Sequence, residues 1–133
     1  MNKIKGKITS VQSSTNISLV GIEFKGFTFS CLIIDTPANV SYLTAGKDIF
    51  VLFKETEVSI AKNRTGLISM NNCLDVEITK MSHSEIMTRL ELNFRGITLV
   101  SIITKKSAER LRLTIGDKVE ALIKTNEISL MEV

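Results

Sequence analysis

The sequence is poor in the residue types that build metal centres and disulfide frameworks. Among its 133 residues it has two cysteines, one histidine, one proline and no tryptophan. Cys31 and Cys73 do not form a Cys-x-x-Cys pair, so we expect two reduced thiols rather than a zinc site or a structural disulfide. His83 lacks the neighbouring cysteines or carboxylates that would make it a metal ligand.

Long apolar stretches are also missing from the sequence. No run approaches the roughly 18 apolar residues that a membrane-spanning helix needs. The segment Met1–Lys7 lacks the apolar core of a secretory signal peptide. We therefore expect a cytoplasmic protein with no membrane partner.

The composition is that of a globular protein rich in strand-forming residues. Hydrophobic residues make up 44% of the chain and charged residues 23%. Much of the apolar content is Ile, Leu and Val, which favours strands. The net charge of +3 suits an anionic ligand, but acidic and basic residues are interspersed, so the charge alone does not identify a partner.

The chain aligns with itself, without a gap, when it is shifted by 70 residues. Such register along the whole chain indicates a duplication. The repeats predict one domain over residues 1–62 and a second over residues 69–133, joined by a polar, glycine-containing linker. The identical pairs include Asn2/Asn72, Phe24/Phe94, Gly26/Gly96, Leu43/Leu113, Gly46/Gly116, Lys54/Lys124 and Glu57/Glu127.

Within each repeat the pattern predicts three strands, a short helix and two further strands. Two-residue hairpin turns are expected at Lys25–Gly26 and at its repeat Arg95–Gly96, because glycine supplies the positive φ of such turns. Thr36 followed by Pro37 is typical of a helix start. The order predicts an all-β protein of two tandem five-stranded barrels of the oligonucleotide/oligosaccharide-binding (OB) type, with one short helix per repeat. The predicted strands of the first repeat cover residues 5–11, 17–24, 27–34, 48–53 and 57–61.

Two predicted strands, Ile49–Phe53 and Val119–Ile123, are apolar on both faces. A strand of a small barrel normally has one face in water. We therefore expect the outer faces of these strands to be covered by the other repeat or by other subunits. The alternative is an apolar barrel surface, since scattered exposed apolar residues are common.

Several segments of the second repeat carry a family resemblance. Ser69–Leu74 opens the repeat, Thr98–Thr104 lies at its centre, and Leu111–Leu113 and Ala121–Ile128 follow. In order and spacing these segments resemble the molybdopterin-binding-protein (Mop) domain, also called the molbindin or TOBE domain. The family pattern has a Ser-Ala-Arg-Asn-x-Leu opening, a central Ile-Thr, a Leu-Gly-Leu helix end and a final Ile-Lys-Ala-Thr-x-Val.

Two such domains in tandem resemble the di-domain molbindins. The resemblance implies a cytoplasmic molybdate- or tungstate-binding protein, for storage or homeostasis, that assembles as a homotrimer. The same domain pair forms the sensor half of molybdate-dependent transcription regulators, which is the alternative function. The sequence departs from the family at Asn71, where the pattern has Arg, and in the first repeat, which starts at Asn2 without the Ser-Ala-Arg part.

Molybdate and tungstate are dianions that offer only acceptor oxygens at neutral pH. A selective site therefore needs hydrogen-bond donors and one or two cations. Lys54 and Lys124 are the repeated cations, each at the end of a predicted buried strand, and the resemblance places the family's lysine there. Their alternative role is that of lysines whose stems lie on apolar surface with the charge in water.

Further donors flank these lysines or open the second repeat. A polar linker end would explain the opening residues equally well, and local backbone capping would explain the others. Glu57 and Glu127 follow the lysines, and we expect them to face solvent or a cross-strand partner rather than the anion. The candidate donors are Thr56, Ser69, Asn71, Asn72, Thr104 and Asn126.

The sequence favours binding over catalysis. No Ser/His/Asp or Cys/His constellation and no glycine-rich phosphate loop can be assembled, so we expect neither an enzyme nor an organic cofactor. An OB-fold nucleic-acid binder would show stacking aromatics on a basic groove. The phenylalanines here mostly follow core patterns, so we expect no nucleic-acid partner.

Overall fold

The structure, a computed structural model, describes residues 1–38 and 40–133. It divides into two compact units. Unit 1 comprises Met1–Phe53 and Lys124–Val133, and unit 2 comprises the continuous segment Lys54–Ile123. The described residues contain no helix that is long and apolar enough to cross a membrane.

Each unit is built on one five-stranded antiparallel sheet. The sheet of unit 1 has the strand order β10-β4-β1-β2-β3, and that of unit 2 has the order β5-β9-β6-β7-β8. This confirms the predicted fold of two tandem OB-like units. The strands are β1 (Asn2–Ser14), β2 (Ile17–Phe24), β3 (Phe27–Ile33), β4 (Asp48–Phe53), β5 (Ser59–Ala61), β6 (Asn72–His83), β7 (Met87–Phe94), β8 (Ile97–Thr104), β9 (Lys118–Ile123) and β10 (Ser129–Glu132).

The compact units do not coincide with the sequence repeats at 1–62 and 69–133, because each sheet takes its fifth strand from the other repeat. Strand β10 pairs with β4, with Leu130 opposite Val51. Strand β5 pairs with β9, with Ile60 opposite Ala121. The two short strands have the same pattern, so either could complete either sheet, and only the backbone pairing distinguishes the two arrangements.

The two hairpin turns that the sequence predicts are present. Phe24 pairs with Phe27 across Lys25 and Gly26, whose φ angles are 45° and 84°. The second repeat has the same turn at Arg95 and Gly96, with φ angles of 49° and 91°. Positive φ at both central residues gives the primed turn that matches the twist of the flanking strands.

The described residues of the first repeat do not form the predicted helix, whereas its counterpart in unit 2 is formed. The described residues 36–38 and 40–43 make turns, and Asn39 lies outside the described residues. Helix α1 (Lys105–Arg110) is capped by Thr104, whose hydroxyl accepts a hydrogen bond from the Ser107 N–H at 3.1 Å. The equivalent positions hold Ile34, which has no hydroxyl, and Pro37, which has no N–H, so this cap cannot form in unit 1.

The core of each unit is the inner face of its sheet. In β1 and β6 alternate residues are buried, and Ile4, Ile8, Leu74 and Ile78 are among the largest buried side chains. The strand β4 that appears apolar on both faces buries Ile49, Val51 and Phe53, and Phe50 on its outer face is half-buried. The Lys3 ammonium lies 4.0 Å from the centre of the Phe50 ring, so part of that outer face is covered locally.

Candidate functional site

The two repeated lysines open equivalent turns. Lys54 is extended and precedes a 3₁₀ turn, Glu55–Glu57, while Lys124 is extended and precedes Thr125–Glu127. We call these segments the first lysine turn (54–57) and the second lysine turn (124–127). In each, the third residue after the lysine donates its N–H to the lysine carbonyl, at 3.0 Å and 3.1 Å respectively. Both lysine side chains are exposed, so their charge is available to an anion.

Each lysine turn packs on the third strand of a sheet and is held there by a buried hydrogen bond. The first turn packs on β8, where the Ser101 hydroxyl donates to the Val58 carbonyl at 2.7 Å. The second turn packs on β3, where the Cys31 thiol donates to the Ile128 carbonyl at 3.3 Å. The sequence did not identify these two holding residues as functional, although the repeat alignment pairs Cys31 with Ser101.

Asn72, predicted as an anion donor, lies at the start of β6 with its side chain fully buried. It pairs with Ile123 across β6 and β9, and its Nδ2 donates to the Ile123 carbonyl at 3.0 Å. Lys124 is the next residue of the chain. At least one amide N–H of Asn72 therefore fixes the backbone from which the lysine projects.

The other predicted donors differ in how available they are. Ser69 and Asn71 are exposed in the segment that leads into β6, and Thr56 and Asn126 are exposed on the lysine turns. Thr104 is exposed, but its hydroxyl caps helix α1 and lies 2.9 Å from the Ser107 hydroxyl. The capping role that the sequence allowed for Thr104 is thus present, and Ser107 is a neighbouring hydroxyl that the prediction left out.

The predicted residues are divided between the two units. Unit 2 contains Lys54 and five of the candidate donors, whereas unit 1 contains Lys124 and Asn126. In unit 2 the first lysine turn packs on β8, the strand that ends at Thr104. In unit 1 the equivalent strand β3 is followed by Ile34, whose side chain is 81% exposed.

Two cavities lie away from these residues, at equivalent places on the outer faces of the sheets. The cavity in unit 2, about 520 Å³, is lined by both charges, and Arg64 binds Glu120 there through two contacts of 2.8 Å. That pair lowers the pKa of Glu120. The smaller cavity in unit 1, about 240 Å³, is lined by Lys5, Lys7 and other charged residues. Neither has the carboxylate-free lining that a dianion requires.

Acidic and thiol groups do not form a metal site in the part of the chain that the structure describes. There, no group of three or more His, Cys, Asp or Glu side chains is arranged to hold a metal ion. Cys31 and Cys73 are both free thiols. Burial raises the pKa of Cys31 to about 12, so this thiol stays protonated and keeps its hydrogen for the Ile128 carbonyl.

The sequence that contains the second lysine turn matches a known protein family. Residues 68–130 match the model of the TOBE domain. Residues 68–130 therefore belong to the TOBE domain family. The match covers the second repeat, with β6 to β10 and the second lysine turn.

Curated relatives include the molybdenum import ATP-binding proteins ModC of Brucella abortus (strain 2308) and Brucella suis biovar 1 (strain 1330). Each is 38% identical over 69 residues, which are 51% of this chain and 19% of the relative. This chain therefore spans about a fifth of the length of the curated relatives it matches.

Solved structures share the fold. A cytoplasmic molybdate-binding protein, ModG, with molybdate bound, superposes with a TM-score of 0.93 over 99% of this chain and 96% of its own, at 20% identity. A molybdate binding protein from Sporomusa ovata is 35% identical over 51% of this chain and 97% of its own, with a TM-score of 0.46. The first likeness establishes the tandem two-unit architecture.

Proposed function

We propose that this TOBE protein binds molybdate or tungstate through its two lysine turns. The observation that carries the proposal is the repeated turn itself: an exposed lysine, extended at the end of a buried strand, followed by a 3₁₀ turn held to the sheet. The TOBE match of residues 68–130, the identity shared with ModC and the fold shared with ModG support the same ligand class.

The chemistry of the turns fits a dianion. An exposed ammonium group supplies the charge, and hydroxyl and amide side chains supply hydrogen-bond donors. Thr56 and Asn126 stand two residues after the lysines, and Ser69 and Asn71 are exposed at the entrance to β6. We propose these four, with Lys54 and Lys124, as the residues that contact the anion. Asn72 and Thr104 would act by holding the neighbouring backbone.

The proposed role is storage or homeostasis of the oxyanion in the cytoplasm, with neither catalysis nor an organic cofactor. A sensing role, as in molybdate-responsive regulators, is the second candidate, and the shared TOBE domain favours it equally. We further propose a homotrimer without nucleic-acid or membrane partners. The half-buried outer face of β4, with Phe50 and Leu52, is the observation that favours association.

Calorimetry with four anions tests the ligand. Molybdate and tungstate should bind measurably, phosphate more weakly because it carries protons at neutral pH, and sulfate more weakly because it is smaller. The folded protein should be titrated at neutral pH and at fixed salt concentration, because surface charge effects are screened by salt. No heat with molybdate from a folded sample would refute the proposed function.

Sedimentation tests the assembly independently. If the anion binds the assembled form more tightly, molybdate should stabilise the oligomer and raise its melting temperature with concentration, by mass action. A monomer at micromolar concentration that binds molybdate with the same affinity at every protein concentration would refute the trimer while leaving the ligand assignment intact.

A further inference from the structure

The hydrogen bonds that hold the two lysine turns occupy equivalent places but differ in chemistry. Ser101 and Cys31 are equivalent in the repeats, as are the acceptors Val58 and Ile128. All four residues are buried, with exposures of 0%, 0%, 1% and 3%. The hydroxyl lies 2.7 Å from its carbonyl and the thiol 3.3 Å from its carbonyl. The molecule therefore holds one turn by a strong donor and the other by a weak one.

Each of the two hydrogen bonds is accepted by the residue that directly follows a lysine turn. Val58 directly follows Glu57, and Ile128 directly follows Glu127. Fixing that carbonyl on β8 or β3 limits how far the turn can open, and so limits the positions of the lysine four residues earlier. The first turn is also closed by a second backbone bond, from the Val58 N–H to the Glu55 carbonyl at 3.4 Å.

We propose that Ser101 and Cys31 are positioning residues for the two anion-binding turns, and that the two turns bind the oxyanion unequally. The inference rests on the proposed function. The first turn is pre-organised by a hydroxyl, so less conformational freedom is lost when the anion binds to it. The second turn is held by a thiol, which is a weaker donor, so sites that depend on Lys124 have lower affinity than sites that depend on Lys54.

Backbone hydrogen exchange tests the holding bonds without any ligand. The Glu57 and Glu127 amides donate to Lys54 and Lys124, so they report on the two turns separately. The Glu57 amide should exchange more slowly than the Glu127 amide. Ser101→Ala should accelerate exchange at Glu57 about fivefold, the scale of one lost neutral hydrogen bond, and leave Glu127 unchanged. Equal exchange at the two amides in the unmodified protein would overturn the asymmetry.

Calorimetry with molybdate then tests the consequence for binding, in backgrounds that isolate each turn. With Lys124→Met in place, Ser101→Ala should weaken the remaining binding about three- to tenfold. With Lys54→Met in place, Ser101→Ala should have no effect, while Cys31→Ser should strengthen binding by a similar factor. Ser101→Cys is the matched variant, and it should give the first turn an affinity close to that of the second.

The outcomes separate this inference from the proposed function. If the unmodified protein binds no molybdate, the proposed function fails, and the exchange rates still decide whether the turns are held unequally. If the protein binds molybdate but Ser101→Ala lowers only the melting temperature, Ser101 has a purely structural role and the inference is wrong. Should Ser101→Ala not fold, Ser101→Cys and Cys31→Ser provide the same comparison.

Discussion

Units 1 and 2 share a strand order and a core, and they differ where the third strand of each sheet ends. In unit 2 that end is rich in hydroxyl groups, one of which caps helix α1 and one of which holds the first lysine turn. In unit 1 the same positions hold a thiol, an apolar side chain and a proline. The equivalent pairs are Cys31/Ser101, Ile34/Thr104 and Pro37/Ser107.

The outer faces of the first strands differ just as much. In β1 the outward residues are Lys3, Lys5 and Lys7, whereas β6 has Asp75 and Glu77 at the positions equivalent to the last two. The inner faces keep Ile4/Leu74 and Ile8/Ile78, which are all buried. Packing constrains the inner face of a duplicated sheet, while the outer face is free to change charge.

The largest expected effect is on folding, when the chain is divided into fragments that contain one unit each. The fragment 54–123 contains all five strands of unit 2, so we expect it to fold and unfold cooperatively on its own. The fragment 1–53 lacks β10, leaves β4 as an open edge and is near the lower size limit for a stable domain, so we expect it not to unfold cooperatively. Circular dichroism during thermal unfolding gives the measurement. Cooperative unfolding of 1–53 alone would mean that the exchanged strand is dispensable.

The second-largest expected effect is on molybdate affinity, when either repeated lysine is replaced. Lys54→Met and Lys124→Met each keep the apolar stem and remove the charge, and each should reduce molybdate affinity by about 1.5–3 kcal/mol at the site concerned. The free energy of unfolding without ligand should change little, because both side chains are exposed. Calorimetry and chemical denaturation measure the two quantities. Unchanged affinity in both variants would reduce the lysines to solubilising residues.

A smaller effect concerns Gly6 in β1, whose counterpart in unit 2 is Val76. A Cβ atom at position 6 would lie 2.6 Å from Cγ2 of the buried Ile22 and 2.8 Å from the Glu23 carbonyl oxygen. Gly6→Ala should therefore destabilise the protein by about 1–3 kcal/mol, the usual cost of overpacking a core. Chemical denaturation measures this, with the neighbouring exposed Lys5→Ala as control. Equal stability of the two variants would show that β1 and β2 can accommodate a Cβ atom at position 6, contrary to this prediction.

The smallest effect is a pH dependence confined to unit 2. The Thr114 N–H donates to the Asp117 carboxylate at 3.0 Å, and Lys62 pairs with it at 3.0 Å. These contacts hold the pKa of Asp117 below its ordinary value of 3.8. The contribution to stability is therefore complete above that value and is lost as the pH falls through the lower pKa of the folded state.

Asp117→Asn should accordingly lower the stability at neutral pH and reduce the further loss of stability on acidification. Denaturation of both proteins across the acidic range measures the difference, and the exposed Asp75→Asn serves as the matched control. The position equivalent to Asp117 in the first repeat is Lys47, so unit 1 has no corresponding acid-sensitive contact. An identical acid profile for Asp117→Asn and the unmodified protein would contradict the assignment.

The sequence was sufficient for features that depend on local pattern. Alternation placed the long strands, and Lys25–Gly26 and Arg95–Gly96 predicted their hairpins because positive φ is a property of the turn itself. The sequence could not predict that β5 and β10 exchange sheets, because both strands have the same pattern and fit either sheet. The described residues after Thr36 do not form the predicted helix: in unit 2 the cap is Thr104, and its equivalent, two residues before Thr36, is Ile34, which has no hydroxyl.

The candidate site was only partly accessible from the sequence. The repeat located the lysine turns, because two copies of one lysine in one context are visible in the alignment. It could not distinguish side chains that face solvent from those that hold backbone, which is why Asn72 and Thr104 were grouped with the exposed donors. Ser101 and Cys31 were visible as a mismatched pair, but their acceptors, Val58 and Ile128, are distant in sequence.

The pairing of β4 with β10 also sets an order of events during synthesis. Unit 2 is continuous from Lys54 to Ile123, so its strands can assemble as soon as that segment leaves the ribosome. Residues 1–53 of unit 1 are synthesised first, but the sheet of unit 1 is complete only after residues 124–133 emerge, because Leu130 pairs with Val51. Unit 2 can therefore complete its sheet before unit 1 does. Until then the nascent N-terminal segment carries an unpaired, apolar strand edge, the kind of edge that invites aggregation or the help of a chaperone.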